Sequence, residues 1–170
     1  MSISFSHPVS LDKIGRTGLT VEVNADQEEC AGLAERMQIP AVHSLHCTFT
    51  LTRDEYDGEI VHGSGILRAS VTRVCVVSAE DFEMPVLDRF TVVFVPARQE
   101  QDDPGQDLPD PDEDDQIPYE GGILDLAEAA AEQLALALDP YPRMEGAVMP
   151  ESDTDDSPFA ALSRLARPMH

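Results

Sequence analysis

Hydrophobic and polar residues alternate over much of the first hundred positions, which is the pattern of strands that bury one face. The alternation predicts strands at residues 3–11, 19–23, 45–52, 59–77 and 90–95. A change of parity at Thr72-Arg73 predicts a β-bulge or a sharp bend in the strand. Residues 78–85 form a connector too short for a crossover helix, so we expect the strands on either side of it to pair antiparallel.

Two stretches instead carry apolar residues at helical spacing. In the first, Asn24 is expected to cap a helix, with Gln27 at the capping-box position, and Ile39-Pro40 to close it. Its apolar stripe contains Cys30, Leu33, Ala34 and Met37. This pattern predicts a helix that packs one face on the sheet.

The second helical stretch covers about residues 123–138. Asp125 stands three residues before Glu128, an Asp version of the capping box, and Asp139-Pro140 ends the helix. Ile123, Ala127, Ala130, Leu134 and Leu138 form its apolar stripe, while Asp125, Glu128 and Glu132 fall on the opposite face. Together, the two stretches and the strands predict one α+β domain over residues 1–143, with a mainly antiparallel sheet and two packing helices.

Charge limits the classes of partner. The chain has 33 acidic and 11 basic residues, a net charge of −22, and therefore repels nucleic acid and anionic lipid at long range. Residues 99–116 contain nine acidic residues and three prolines and lack EF-hand spacing, so they predict a disordered acidic loop and no calcium site. Such acidity favours a basic protein partner, or else serves solubility alone.

Residues 144–170 read as a flexible acidic tail that contains one short helix. Ser157-Pro158 are typical of an N-cap and first helical residue, and the helix is predicted over residues 158–165. Phe159, Leu162 and Leu165 then lie on one apolar face. The helix is expected either to dock on another protein or to fold back on its own domain.

No motif for catalysis or metal binding is present. Cys30, Cys47 and Cys75 form neither a disulfide framework nor a Cys-x-x-Cys pair. A buried cysteine is favoured over a catalytic thiol at Cys75, near the end of its strand. His43 and His46 would face opposite sides of a strand, which disfavours a shared metal. No secretory signal or membrane-spanning run is recognised, so a cytoplasmic protein is expected.

Several segments, in this order, resemble the YceD family, the large ribosomal RNA subunit accumulation proteins of bacteria. They are Gly65-Ile-Leu-Arg-Ala-Ser-Val71 running to Cys75-Val-Val-Ser78, Phe90-Thr-Val-Val-Phe94, Leu124-Asp-Leu-Ala-Glu128, Leu136-Ala-Leu-Asp-Pro-Tyr-Pro142 and Pro158-Phe-Ala-Ala-Leu162. Many members carry Cys-x-x-Cys where this chain has Cys75-x-x-Ser78, and some carry further cysteines after the prolines. The form found here resembles the alphaproteobacterial branch and leaves too few ligands for a structural zinc site.

The resemblance implies a non-enzymatic ribosome-biogenesis factor that supports synthesis, processing or stability of the large-subunit (23S) ribosomal RNA. We expect it to act through a basic ribosomal or RNA-processing protein, so that contact with ribosomal RNA is indirect, without a cofactor, small-molecule substrate or membrane. The acidic loop would speed encounter, while the sheet and the Pro158–Leu165 helix would make the specific contact. Candidate partner-binding residues are Phe159, Leu162, Leu165, Arg68, Arg73, Cys75 and Asp125.

Two alternatives remain open at the level of sequence. The chain could bind RNA directly through Arg68, Arg73 and Arg89, although Arg68 and Arg73 share a face only if a bulge realigns them. It could also be an enzyme of unknown type, which would require a deep pocket lined by ionisable groups with perturbed pKa values. The surface distribution of arginine separates the first alternative from a protein-binding role.

Overall fold

The computed structural model describes residues 5–97 and 115–149. In this part of the chain the strands are β1 (Pro8–Ser10), β2 (Leu19–Asn24), β3 (Ala41–Arg53), β4 (Val61–Val74), β5 (Asp81–Pro96), β6 (Asp115–Tyr119) and β7 (Ile123–Asp125). The helices are α1 (Gln27–Met37) and α2 (Leu126–Ala137), and a single 3-10 turn covers Leu11–Lys13.

The main sheet has five strands in the order β2-β3-β4-β5-β6, and a second, two-stranded sheet pairs β1 with β7. Every pairing is antiparallel except β5 with β6. The long hairpins β3–β4 and β4–β5 follow from sequence-adjacent strands joined by short turns. The prediction of an α+β domain with a mainly antiparallel sheet and two helices is confirmed.

The core lies on one face of the sheet, beneath the helices. Leu45, Cys47, Phe49 and Leu51 of β3 are all buried on this face, as their alternation predicts. Helix α2 contacts β4 and β5, and its buried alanines allow the close approach of its backbone. The opposite side of the sheet, here called the open face, carries alternate residues of β2 to β5 and is exposed or half-buried.

One strand prediction needs correction. The register of β4 with β5 runs unbroken from Val61–Phe94 to Val74–Asp81, so the bulge predicted at Thr72-Arg73 is wrong. The irregularity lies in β3, between Val42 and Ser44. The change of parity that suggested a bulge has another cause: Val74 is the last residue of β4, is 43% exposed and does not belong to the core.

The boundaries of several strands also differ from those that the side-chain pattern predicts. Strand β5 already begins at Asp81, inside the connector predicted over residues 78–85. Of the strand predicted over residues 3–11, residues 3 and 4 lie outside the described residues, and β1 covers only Pro8–Ser10 because the chain enters the 3-10 turn at Leu11. Strand β6 begins at Asp115, so the last two residues of the acidic stretch 99–116 are in the sheet. Residues 98–114, with most of that stretch, and the tail beyond residue 149 lie outside the described residues.

Both helix starts also differ from the sequence-based expectation. The N-cap of α1 is Asp26, whose carboxylate accepts from Glu29 N at 2.8 Å while the Glu29 carboxylate accepts from Asp26 N at 2.8 Å. Asn24, the predicted cap, is the last residue of β2. Helix α2 begins only at Leu126, because Ile123 lies in β7, where it is 52% exposed and takes no part in the apolar stripe.

Candidate partner-binding surfaces

Asp125 anchors the start of α2 to the N-terminal segment. Its carboxylate accepts from Ala127 N at 3.1 Å and Glu128 N at 3.3 Å, as an N-cap does. It also accepts from His7 N at 2.9 Å and from Ser6 Oγ at 2.6 Å. Burial alone would raise the pKa of Asp125, but these hydrogen bonds to the carboxylate outweigh it and lower the pKa. The contacts within the described residues therefore give Asp125 a structural role.

Glu128 connects the two helices. Both of its carboxylate oxygens bind the Arg36 guanidinium of α1, at 2.5 and 2.8 Å, and do not complete the capping box predicted with Asp125. The Arg36 hydrogen bond is the main cause that lowers the pKa of Glu128. Because the two side chains are 54% and 43% exposed, the ion pair orients α1 against α2 more than it stabilises the fold.

Cys75 lies at the turn between β4 and β5, where it is 1% exposed. Its Sγ accepts from the backbone N–H of Met144 at 3.3 Å and of Ser78 at 3.5 Å. These donors favour the thiolate and lower the pKa of Cys75 to about 7, with the Met144 N–H as the largest cause. Cys75 is buried as predicted, but between two loops and outside the main hydrophobic core.

The segment after α2, residues 139–144, is fastened to the same turn by backbone contacts. Val76 N donates to Pro142 O at 3.0 Å, and Arg73 Nη2 donates to Asp139 O at 2.9 Å. With the Met144–Cys75 contact, these bonds hold residues 139–144 against the end of the sheet where two predicted site residues, Arg73 and Cys75, lie. No local sequence pattern predicts this attachment, because Met144 and Cys75 are 69 positions apart.

A groove of about 620 Å³ opens beside this junction, between the C-terminal ends of α1 and α2 and the end of β4. Its apolar lining includes Met37, Ile39, Val74, Val76, Ala135 and Leu138, and Arg73 forms part of its wall. Within the described residues, neither salt bridge involves Arg73. The groove therefore combines exposed apolar surface with a cation, Arg73, that donates a hydrogen bond to the backbone carbonyl of Asp139.

Arg68 and Arg89 lie elsewhere, side by side on the open face. Arg68 pairs across the strands with His46 and Leu87, and Arg89 pairs with Ile66, one row away. A shallow depression of about 390 Å³ surrounds Ile66 and Arg89 and is lined largely by serine and threonine. Arg73 has the opposite parity and, with no bulge to realign it, points to the other side of the sheet. The three arginines therefore do not form one surface.

The described residues contain no cluster of three or more His, Cys, Asp or Glu side chains that could hold a metal ion. His43 and His46 have separate partners, since His43 Nε2 contacts Thr72 Oγ1 at 2.7 Å and His46 Nδ1 contacts the Asn24 side chain. The remaining predicted site residues, Phe159, Leu162 and Leu165, lie outside the described residues.

In the described part of the chain, this small α+β protein has two accessible surfaces of note, the open sheet face and the groove at the helix ends. The family model for the large ribosomal RNA subunit accumulation protein YceD matches residues 63–166, and the chain belongs to this family. The match supports a role in accumulation of large-subunit ribosomal RNA, and its description names no enzymatic activity.

Neither a curated protein nor a solved structure matches the chain significantly. Among the described residues, the helices are too short or too polar to cross a membrane.

Proposed function

We propose that the protein is a non-enzymatic factor that supports accumulation of large-subunit ribosomal RNA by binding a basic protein partner. The observation that carries this proposal is the net charge of −22 in a family described by ribosomal RNA accumulation. A surface of this sign repels the phosphate backbone and attracts a cationic protein, such as a ribosomal or RNA-processing protein. The chain would then reach the RNA through that partner, most simply in the cytoplasm.

The acidic stretch 99–116 and the apolar residues of the tail have different parts in this proposal. The acidic stretch accelerates encounter, so its contribution falls as salt is added. Phe159, Leu162 and Leu165 supply apolar contacts whose strength depends little on salt, and Arg73 and Cys75 lie at the end of the sheet nearest the chain that leads to them. Asp125 supports binding only indirectly, by holding α2.

One observation favours direct RNA binding as a second candidate. Arg68 and Arg89 are exposed neighbours on the open face, among hydroxyl groups, and neither takes part in a salt bridge within the described residues. Two arginines can bind phosphates locally even on an acidic protein. Their contribution to affinity would be small, because each phosphate contact must overcome the repulsion of the whole chain.

A pull-down from cell lysate with the tagged full-length chain, with and without RNase, separates the two candidates. Recovery of large-subunit ribosomal or processing proteins after RNase treatment supports the protein partner, and weaker recovery at higher salt supports the electrostatic part. Loss of all ribosomal components with RNase would instead favour the RNA candidate. Recovery unchanged by salt would rule out attraction by the acidic stretch.

Matched variants sharpen the result. Phe159→Ala combined with Leu162→Ala should abolish recovery of the protein partner, whereas Arg68→Ala combined with Arg89→Ala should leave it unchanged. The opposite pattern would indicate that the protein binds through the open face. Both pairs change side chains at the tail or on the sheet surface, so neither removes a core contact described above.

A further inference from the structure

The groove at the helix ends is an apolar surface that the described part of the chain leaves open. Val74 and Val76 in its lining are 43% and 53% exposed, although valine is normally buried. Opposite them, α2 presents Ala135, an exposed residue small enough to admit another side chain. Such a surface, rimmed by polar residues, is typical of a docking site.

The chain itself leads from this groove to a segment with matching chemistry. Pro142 lines the groove, and the backbone N–H of Met144 donates a hydrogen bond to Cys75 Sγ. The polypeptide therefore leaves the fold at the edge of the groove. A turn follows, with Ala147 N donating to Met144 O at 3.1 Å and Gly146 at a φ of 80°. Residues 150–157 can span at most about 26–29 Å when extended, which brings the next residues within reach of the groove.

Apolar spacing in that segment suits the groove, whose lining carries Glu132 and Asp139 beside Arg36 and Arg73 and leaves Arg73 as the cation available to a carboxylate. Glu151, Asp153, Asp155 and Asp156 precede the apolar residues and can pair with Arg73, which has no carboxylate partner among the described salt bridges. Phe159, Leu162 and Leu165 then follow at three-residue spacing, which places them on one side of a helix. Apolar side chains of this size fit a groove bordered by Val76, Ala135 and Leu138.

We propose that the groove binds residues 158–165 of the same chain, so that the apolar segment is covered in the free protein and a partner must displace it. The docked segment is an intramolecular latch, and it rests on the proposed function because it covers Phe159, Leu162 and Leu165, through which the protein is proposed to bind its partner. Its occupant can be tested on the isolated chain, so the latch can fail while the partner proposal stands, and the reverse.

Hydrogen exchange of the purified full-length chain tests the latch. Residues 159–165 should exchange on the order of tenfold more slowly than the same sequence as a free peptide, because docking protects their amides. Ala135→Arg fills the groove and should restore peptide-like exchange. Leu136→Arg is the matched control, since Leu136 is 69% exposed on the same helix and does not line the groove.

Each other outcome overturns the proposal. Peptide-like exchange of residues 159–165 in the unaltered chain would mean that the segment does not dock. Equal effects of Ala135→Arg and Leu136→Arg would place the contact outside the groove. Protection that disappears on tenfold dilution would identify a second copy as the occupant. If Ala135→Arg lowers the thermal unfolding midpoint, Val76→Arg at the opposite wall repeats the test.

Discussion

The three cysteines of this fold have different thiol pKa values. Cys30 and Cys47 lie in the core, where burial raises the pKa of both thiols, to about 12 for Cys47. Cys75 is equally inaccessible, yet its Sγ receives two backbone N–H groups and its pKa falls to about 7. Hydrogen bonding to sulfur therefore outweighs burial at this position.

We predict that one thiol ionises near neutral pH. Thiolate absorbance at 240 nm should rise with a midpoint at about pH 7 in the unaltered chain. The step should be absent from Cys75→Ser and retained by Cys30→Ala. A midpoint near the ordinary pKa of 9.0 would show that the N–H groups do not stabilise the thiolate.

The same group makes stability depend on pH. Because its pKa is lower in the folded than in the unfolded chain, Cys75 contributes stability fully above the ordinary pKa of 9.0 and loses it as the pH falls through about 7. The difference in free energy of unfolding between the unaltered chain and Cys75→Ser should therefore grow from pH 6 to pH 9. Urea unfolding at each pH measures it, and a constant difference would contradict the prediction.

Gly65 illustrates a steric requirement of a single position. A Cβ placed on it would lie 2.1 Å from Phe90 Cζ, and the Phe90 ring itself packs edge-on against Phe49 at 5.6 Å between centroids. We predict that Gly65→Ala lowers the free energy of unfolding by about 1–3 kcal/mol, because Phe90 must leave this position. Urea unfolding of Gly15→Ala, where a Cβ meets nothing within 4 Å, is the control and should show little loss.

Among the secondary-structure elements, α2 has the most far-reaching attachments. Asp125 fixes its start to the N-terminal segment, Glu128 ties it to α1, and the segment after it binds the β4–β5 turn. Helix α1, by contrast, is capped by its own capping box between Asp26 and Glu29. The position of α2 therefore depends on residues distant in sequence, whereas the start of α1 is specified locally.

We predict that Asp125→Ala destabilises the protein more than Asp26→Ala does. Loss of an N-cap costs about 0.5–2 kcal/mol, and Asp125 should lie at the upper end because His7 N and Ser6 Oγ lose their acceptor as well. Chemical unfolding of both variants measures the difference. Equal losses would mean that the contacts to the N-terminal segment contribute nothing.

The lowered pKa of Asp125 makes the stability that is lost on its substitution depend on pH. A carboxyl whose folded pKa lies below its ordinary value of 3.8 contributes stability above that value, and the contribution is lost as the pH falls through the folded pKa. The stability difference between the unaltered chain and Asp125→Asn should therefore shrink below about pH 4. A difference that widens in acid would contradict this assignment.

At the scale of the whole molecule, electrostatic repulsion opposes folding. A net charge of −22 over 170 residues favours expanded states, and salt screens the repulsion. We predict that the urea midpoint rises between about 10 and 300 mM NaCl, over which the Debye length falls from roughly 30 Å to below 8 Å. Potassium chloride should act equally, since screening is not ion-specific. A midpoint independent of salt would contradict the prediction.

The sequence by itself determined the elements whose cause is local. Alternation specified the buried face of β3, and composition and proline specified the existence of both helices and the end of α2. The ordered motifs from Gly65 to Leu162 specified the family, which the match over residues 63–166 confirms. Periodicity and motifs of this kind are written in neighbouring residues and need no knowledge of the fold.

The tertiary structure alone decided what depends on distant contacts. Side-chain parity could not separate a bulge at Thr72 from an exposed valine at the end of β4, because only the partner strand defines the register. Side-chain parity also could not predict that β6 pairs parallel with β5. The chain between these two strands is an acidic stretch without periodicity. The groove and the lowered pKa of Cys75 arise because folding brings residue 144 to residue 75, and no local pattern encodes that approach.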